Sequence, residues 1–283
     1  MGTLLGEAER IAPAKAAGIL AAMRWTWACA AAFLWTGCVG FHPRGQDWSS
    51  GAEAPSVAAP SPPRGEVQRA AWETIGRSHQ GRPLRVRRVG HGPRRVIWIG
   101  GIHGNEREGV VSTAELPAAL AAVAGALDEV TLTILEDVNP DGTAAGTRGN
   151  ARGVDLNRNY PAANFLAGER YGQRPLDQPE AKALYELVRA ERPDLVIVAH
   201  SWRNDHFINF DGPAVRYAEL FSRRSGYRVK PSDRIHPTPG SLGSWIGRKL
   251  QIPILTLEHE RGADPDRCWQ DTRAAILAVI LSA

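Results

Sequence analysis

Short apolar runs alternate with amphipathic stretches from about residue 72 to the C-terminus. Two extended stretches between residues 72 and 89 flank a Gly-Arg-Pro turn and predict a β-hairpin. Apolar runs predict buried strands at 95–99, 130–135, 195–199 and 252–257, and the pattern between them predicts helices near 106–125, 178–191, 213–225 and 241–250. Strands that alternate with helices predict an α/β layered fold.

The N-terminal part of the chain has a different pattern. Residues 25–37, WTWACAAAFLWTG, form an uncharged run that follows Lys15 and Arg24. This run is shorter than the about 20 residues that a helix needs to span a bilayer. A basic flank, an apolar run and then small residues are typical of a secretory signal. We therefore predict a signal peptide over residues 1–37, with Met23 as an alternative start.

Thr36-Gly37-Cys38 resembles the end of a bacterial lipoprotein signal, in which the Cys becomes the lipidated first residue of the mature chain. Trp35 departs from the aliphatic residue that is usual there. Lipidation of Cys38 is thus one alternative, beside simple cleavage and an uncleaved anchor. We expect an exported protein, periplasmic or in the cell envelope, whose membrane contact is limited to the N-terminal signal or lipid.

The rest of the chain divides into a linker and one domain. Residues 38–67 are rich in Pro, Ala and Ser and predict a flexible tether. Residues 68–283 suffice for one catalytic domain with a sizeable core. We expect Cys268 to be a packed thiol in this domain.

The composition excludes several classes of protein. With 43% hydrophobic and 23% charged residues, 29 Gly, 20 Pro and 3 Cys among 283, the chain is neither wholly disordered, nor collagen, nor a disulfide scaffold. Its formal net charge is +4, without a block of basic residues long enough for a nucleic-acid arm. We therefore expect no nucleic-acid partner.

Metal-ligating residue types come at the ends of the predicted strands. His103 and Glu106 follow the strand at 95–99, and His200 follows the apolar run LVIVA. The carboxyl ends of strands are where open α/β sheets place ligand crevices. Two His and one carboxylate form a zinc set that leaves a coordination position open for water, so we predict one Zn²⁺ ion. The alternatives are a polar surface turn for His103 and Glu106 and a satisfied core histidine for His200.

Three further segments complete a hydrolytic site. Glu258 ends the run ILTLE, and as general base it would take a proton from a zinc-activated water and return it to the leaving amine. Arg148 is a candidate donor to the developing oxyanion. Asn157 and Arg158 are candidates to bind a substrate carboxylate, since a guanidinium matches that group bidentately. The predicted reaction is amide hydrolysis, with a Gly-rich surface loop as the alternative reading of residues 146–161.

Taken in order, HGNE, TR, DLNRNYP, AHS and TLE resemble the motifs of the zinc carboxypeptidase superfamily, over residues 72–283. The segment IGRSHQGRPL is similar to the opening hairpin of that family. The resemblance implies a three-layer α/β/α sandwich on a mixed sheet of about eight strands. It also implies the roles already considered for His103, Glu106, His200, Glu258, Arg148, Asn157 and Arg158.

Within the superfamily, NFDGPA and HPTPGSLGSW look most like the murein peptide amidases, which cut the γ-D-glutamyl–diaminopimelate bond of cell-wall peptides. This likeness implies a peptidoglycan peptide as substrate. Arg158 would bind the diaminopimelate carboxylate and Asp211 its amino group, while a turn role for Asp211 stays open. His236 stands where relatives often carry a substrate-binding Tyr.

Two other functions remain open from the sequence. HGNE also resembles the succinylglutamate desuccinylase and aspartoacylase branch, which deacylates small N-acyl amino acids. A non-catalytic wall-binding lipoprotein that retains the fold is the third alternative.

Overall fold

The computed structural model describes residues 71–232, 235 and 237–282. The predicted signal peptide, Cys38, the tether and His236 lie outside the described residues. The β-hairpin is formed by β1 (Glu73–Arg77) and β2 (Pro83–Val89), which pair antiparallel. The remaining strands are β3 (Arg94–Ile99), β4 (Val130–Leu135), β5 (Leu195–Trp202), β6 (Phe207–Asp211), β7 (Arg228–Pro231) and β8 (Ile254–Glu260).

The eight strands form one mixed sheet in the order β1-β2-β4-β3-β5-β8-β6-β7. Its centre is parallel, because β3 pairs parallel with both β4 and β5, and β5 pairs parallel with β8. The antiparallel pairs are β1 with β2, β2 with β4, and β6 with β8. The carboxyl ends of β3, β5 and β8 therefore meet at one edge of the sheet.

Helices cover both faces of the sheet. They are α1 (Val110–Ala121), α2 (Ala126–Glu129), α3 (Pro140–Ala145), α4 (Pro179–Glu191), α5 (Val215–Ser225) and α6 (Pro265–Leu281), with a 3₁₀ turn at Leu156–Arg158 and a π-helix at Gly243–Lys249. Leu116, Phe221 and Ile276 from α1, α5 and α6 pack on one face. Leu184 from α4 and Trp245 from the π-helix pack on the other.

Successive strand residues alternate between these two cores. Val96 and Trp98 of β3 face the α1, α5 and α6 side, whereas Ile97 and Ile99 face the α4 side. The indole of the buried Trp98 donates to Thr113 Oγ1 at 2.9 Å, which satisfies its N–H within the core. Each face of the sheet thus buries one set of alternate side chains, and the predicted three-layer sandwich is confirmed.

Several element boundaries differ from the sequence-based predictions. The helix predicted from residue 106 begins at Val110, so Glu106 lies in the loop between β3 and α1. Strands β5 and β8 extend to Trp202 and Glu260, so His200 and Glu258 lie within strands rather than after them. Strands β6 and β7 and helix α6 were not predicted.

Candidate active site

The loop between β3 and α1 and the neighbouring strands β5 and β8 carry the predicted metal and base residues. In the loop, Glu106 N donates to His103 O at 3.1 Å, a turn that brings the two side chains to one side. His200 on β5 is the register partner of Glu258 on β8. The parallel arrangement thus brings residues more than 50 positions apart along the chain to one point at the sheet edge.

One ligand atom from each of His103, Glu106 and His200 lies within 4.8 Å of the others. Glu106 Oε2 is 3.0 Å from His103 Nδ1 and 2.9 Å from His200 Nδ1. The opposite nitrogen of each imidazole is held elsewhere: His103 Nε2 is 2.9 Å from Asp155 Oδ1, and His200 Nε2 is 3.2 Å from the Asn157 amide. The two Nδ1 atoms and the carboxylate therefore converge.

The charges in this cluster are strongly coupled. Burial works to raise the pKa of Glu106, but His103 and His200 outweigh it and hold that pKa well below its usual range. Burial works to lower the pKa of His103, but Glu106 and Asp155 outweigh it and raise that pKa. For His200 burial prevails, so its pKa is lowered.

The residues present fit a zinc ion. His103 Nδ1 is buried and makes no hydrogen bond of good geometry within the described residues, despite its approach to Glu106. An imidazole nitrogen left without a hydrogen bond is available as a metal ligand. Two imidazoles and a carboxylate also form a donor set that suits zinc.

Glu258 faces the same groove as the donor set. Its side chain is buried, and its Oε2 has no hydrogen-bond partner in the described part of the chain. Burial, with repulsion from Glu106, raises the pKa of Glu258 to about 8. A carboxylate in this environment accepts a proton readily, as a general base must.

Arg148 and Asp155 contact the side chains of the possible metal site. Arg148 donates from Nη1 to Glu106 Oε1 and from Nε to Asp155 Oδ2, each at 2.9 Å. His103 and Arg148 hold the pKa of Asp155 well below its usual range, although burial works against them. Sequence reasoning assigned no role to Asp155, although it lies within the motif DLNRNYP.

Asn157 and Arg158 lie on the groove wall, as their predicted role requires. The Asn157 side chain accepts from Leu242 N at 2.9 Å, which joins the 3₁₀ turn to the start of the π-helix. Arg158 Nη1 donates to Asn157 O at 2.7 Å. The structure brings Arg158 to the groove wall with one nitrogen engaged by this carbonyl, and the Asn157 side-chain amide is engaged by Leu242 and His200.

Asp211 ends β6 and also lines the groove. It accepts from Arg248 Nε at 2.8 Å and from Ser232 Oγ at 2.7 Å. Its charge is therefore partly compensated before any substrate arrives. The groove holds a cavity of about 90 Å³, and a second cavity of about 360 Å³ is lined by Glu106 together with Arg85 and Asp137.

Comparison with known proteins identifies the class to which this site belongs. The sequence model of the zinc carboxypeptidase family matches residues 66–225. The chain belongs to the zinc carboxypeptidase family and is a hydrolase of that family. The family implies zinc as the metal for His103, Glu106 and His200.

The chain is similar to murein peptide amidases in sequence and in structure. Murein peptide amidase A of Escherichia coli strain K12 is 32% identical over 180 residues, a match that covers 57% of this chain and 69% of that protein. The crystal structure of murein-tripeptide amidase MpaA from Escherichia coli O157 superposes with a TM-score of 0.64 at 27% identity, covering 78% of this chain and 97% of that chain.

A third relative is the gamma-D-glutamyl-L-diamino acid endopeptidase 1 of Lysinibacillus sphaericus. It is 24% identical over 265 residues, covering 72% of this chain and 65% of that protein.

Within the described residues, no helix has the length and apolar character needed to cross a membrane.

Proposed function

We propose that the protein is an exported zinc-dependent amidase that hydrolyses the γ-D-glutamyl–diaminopimelate bond of peptidoglycan peptides. The observation that carries this proposal is the juxtaposition, in one groove, of the donor set His103, Glu106 and His200 with the buried Glu258. The similarity to murein peptide amidase A supports the choice of substrate.

Amide hydrolysis needs a proton to leave water and reach the amine that departs. Zinc in such a site supplies Lewis acidity, which polarises a carbonyl and acidifies water. Glu258 accepts the proton from the attacking water and delivers it to the leaving nitrogen. Its unpartnered Oε2 supports this role because no other hydrogen bond within the described residues has to break first.

Arg148 stabilises the negative charge that develops on the amide oxygen. A guanidinium with donors fixed by Asp155 is held ready for that charge, and such preorganised donors are worth about 10²–10³ in rate. The bond from Arg148 to Glu106 is the one that competes with this role.

Groups of opposite charge in the groove match the ends of diaminopimelate. The free portion of that residue presents a carboxylate and an ammonium group. Arg158 binds the carboxylate through two parallel N–H donors. Asp211 accepts from the ammonium while it keeps its contacts with Arg248 and Ser232.

Mass spectrometry of purified muropeptides tests this activity. The zinc-loaded protein is expected to release diaminopimelate or a peptide that begins with it, whereas Glu258→Gln is expected to leave the muropeptide intact. A parallel assay contains N-acyl amino acids such as N-succinylglutamate. Cleavage of these compounds more than about tenfold faster than muropeptides, a difference of about 1.4 kcal/mol in transition-state binding, would replace the substrate proposed here.

Export forms part of the proposal. Residues 1–37 act as the signal, and residues 38–67 tether the catalytic domain of residues 68–283 to the envelope. Expression in a bacterial host, followed by cell fractionation and intact mass, tests both points. A mature chain that begins at a lipid-modified Cys38 and loses its membrane association in Cys38→Ala would establish the anchor. A full-length chain in the cytoplasm would contradict export.

A further inference from the structure

The turn that follows β8 is tied to the loop that carries two of the predicted zinc ligands. Glu260 O accepts from Ala263 N at 3.0 Å, and Gly262 adopts φ +86°, a conformation that glycine tolerates and side chains disfavour. Arg261 N donates to Trp202 O at 2.9 Å, which continues the pairing of β5 with β8. The backbone of Arg261 is therefore fixed at the edge of the sheet.

Consecutive residues of this turn bind the metal-ligand loop. Arg261 Nη2 donates to Glu106 Oε1 at 2.7 Å and approaches Ser201 O at 3.3 Å. Gly262 N donates to the buried Glu108 Oε1 at 2.6 Å. The turn thus binds the predicted ligand Glu106, the loop residue Glu108 and the residue that follows the ligand His200.

The two oxygens of Glu106 have separate partners. Oε2 meets His103 and His200 and accepts from the backbone N–H of Ser201 at 3.1 Å. Oε1 accepts from Arg148 at 2.9 Å and from Arg261 at 2.7 Å. In the proposed mechanism Arg148 donates to the substrate oxygen, a role with which its bond to Glu106 competes, so of these two guanidiniums only Arg261 is left to hold Oε1.

We propose that Arg261 is the positioning residue for Glu106, which it keeps oriented with Oε2 toward the two histidines while Arg148 serves the substrate. This inference rests on the proposed function, because it takes Glu106 as a zinc ligand and Arg148 as the substrate donor. Residues that orient metal ligands raise metal affinity by about 10–100-fold.

The charge of Arg261 makes the proposal sharply testable. A guanidinium near a cation repels it, so loss of this charge alone would leave zinc binding unchanged or tighter. Loss of an orienting hydrogen bond would weaken zinc binding. The two explanations therefore predict different zinc affinities for Arg261→Gln. The affinity stays the same or rises if only the charge matters, and it falls if the hydrogen bond orients Glu106.

Competition with a chromophoric chelator measures the zinc dissociation constant of the purified protein and its variants. Arg261→Gln is expected to bind zinc about 10–100-fold more weakly, and Arg261→Lys, which keeps the charge and one donor, is expected to lie between Gln and wild type. The matched control is Arg267→Gln on α6, where an exposed arginine 3.6 Å from Asp271 carries the same charge. This control is expected to match wild type.

Two additional readouts separate positioning from a general structural role. The visible absorption of the Co²⁺-loaded protein is expected to change in Arg261→Gln and to recover partly in Arg261→Lys. The thermal midpoint of the metal-free Arg261→Gln protein is expected to stay close to that of the metal-free wild type, because the backbone bonds of the turn remain.

The outcomes distinguish this inference from the proposed function. Unchanged or tighter zinc binding by Arg261→Gln would overturn the role of Arg261 alone, as would a fall in metal-free stability without loss of zinc affinity. A wild-type protein that binds no zinc would overturn both proposals. A wild type that binds zinc tightly but leaves muropeptides intact would overturn only the substrate.

Discussion

Two adjacent register pairs on β5 and β8 show that buried polar side chains have different surroundings on the two faces of the sheet. His200 pairs with Glu258, and the next residues, Ser201 and His259, pair with each other. Because successive strand residues point to opposite faces, the side chains of the first pair point toward the groove and those of the second toward the other face, the core face, where His259 meets Tyr227; Ser201 also contributes to the groove lining. All four side chains are buried.

The difference lies in the charges that surround each pair. The groove pair lies near Glu106 and Arg148, and Arg261 also acts on the charge of Glu258. The core pair has a neutral partner, since Tyr227 Oη is 3.1 Å from His259 Nδ1. Burial, with a small contribution from His206, lowers the pKa of His259 to about 4, so this imidazole is neutral at physiological pH. The groove pair therefore lies among charged groups, whereas His259 on the other face is neutral and meets a neutral tyrosine hydroxyl.

The largest expected effect concerns activity on the groove face. Glu258→Gln should lower kcat on muropeptides by about 10²–10⁴-fold, because it removes the proposed general base. Zinc affinity and thermal midpoint should stay near wild type, because Glu258 Oε2 has no hydrogen-bond partner to lose within the described residues. Steady-state kinetics and chelator competition check these expectations.

The matched substitution on the core face is His259→Leu. It should keep activity within about tenfold of wild type, a change below about 1.4 kcal/mol in the barrier. An equal loss of activity in both variants would mean that the two faces do not differ in the way proposed.

The sequence predicted the groove face better than the core face. Motif order and strand ends led to His103, Glu106, His200 and Glu258 because each of these residues ends or follows an apolar run that local pattern reveals. Their convergence follows from the parallel order of β3, β5 and β8, which the family resemblance implied only as a mixed sheet. The roles of Asn157, Arg158 and Asp211 remain predictions.

Other features could not be found from local pattern. Arg261 meets Glu106 across 155 positions of sequence, and only the tertiary fold reveals that contact. Helix α6 is a different case, because its local signals were present. Asp264 accepts from Arg267 N as the N-cap, and Pro265 occupies the first turn. Helix α6 could therefore have been predicted from the sequence.

The second expected effect is the pH dependence of stability on the core face. The His259 pKa of about 4 lies below the value of 6.5 for an unperturbed His. The unfolded chain therefore binds a proton before the folded chain does, and stability falls as pH drops from about 6.5 to about 4. This difference in pKa corresponds to a loss of roughly 3 kcal/mol in the free energy of unfolding.

Denaturant unfolding of the metal-free protein at about pH 7 and about pH 4 measures this loss. Between these two pH values, the free energy of unfolding of His259→Leu should fall by roughly 3 kcal/mol less than that of wild type. The control His91→Leu changes an imidazole that is 79% exposed and should follow wild type. An equal decrease in the free energy of unfolding for wild type and His259→Leu would show that His259 is charged or solvated in the folded protein.

A smaller effect is expected from the hydroxyl that contacts His259. Tyr227→Phe removes the hydrogen bond to His259 Nδ1 and leaves both imidazole nitrogens unpaired, since Nε2 already lacks a partner in the described part of the chain. The free energy of unfolding should fall by about 1–2 kcal/mol. Muropeptide hydrolysis at low temperature should be unchanged. A large loss of kcat would mean that this hydroxyl communicates with the groove.

The smallest effect is expected at Ser201. Its hydroxyl is buried and has no hydrogen-bond partner among the described residues, whereas its backbone N–H donates to Glu106. Ser201→Ala keeps the backbone contacts and removes an unpaired hydroxyl, so stability should change by less than about 0.5 kcal/mol or rise slightly.

Ser241 on the groove side provides the contrast for this test. Its hydroxyl accepts from Ser244 N at 3.1 Å and donates to Thr238 at 3.2 Å, so Ser241→Ala should cost about 1 kcal/mol. Thermal and denaturant unfolding of both variants, with zinc removed, measures the difference. A cost above about 1 kcal/mol for Ser201→Ala would mean that a buried water satisfies this hydroxyl. The side chain of Ser201, next to His200, would then differ from His259, whose described neighbour is the hydroxyl of Tyr227.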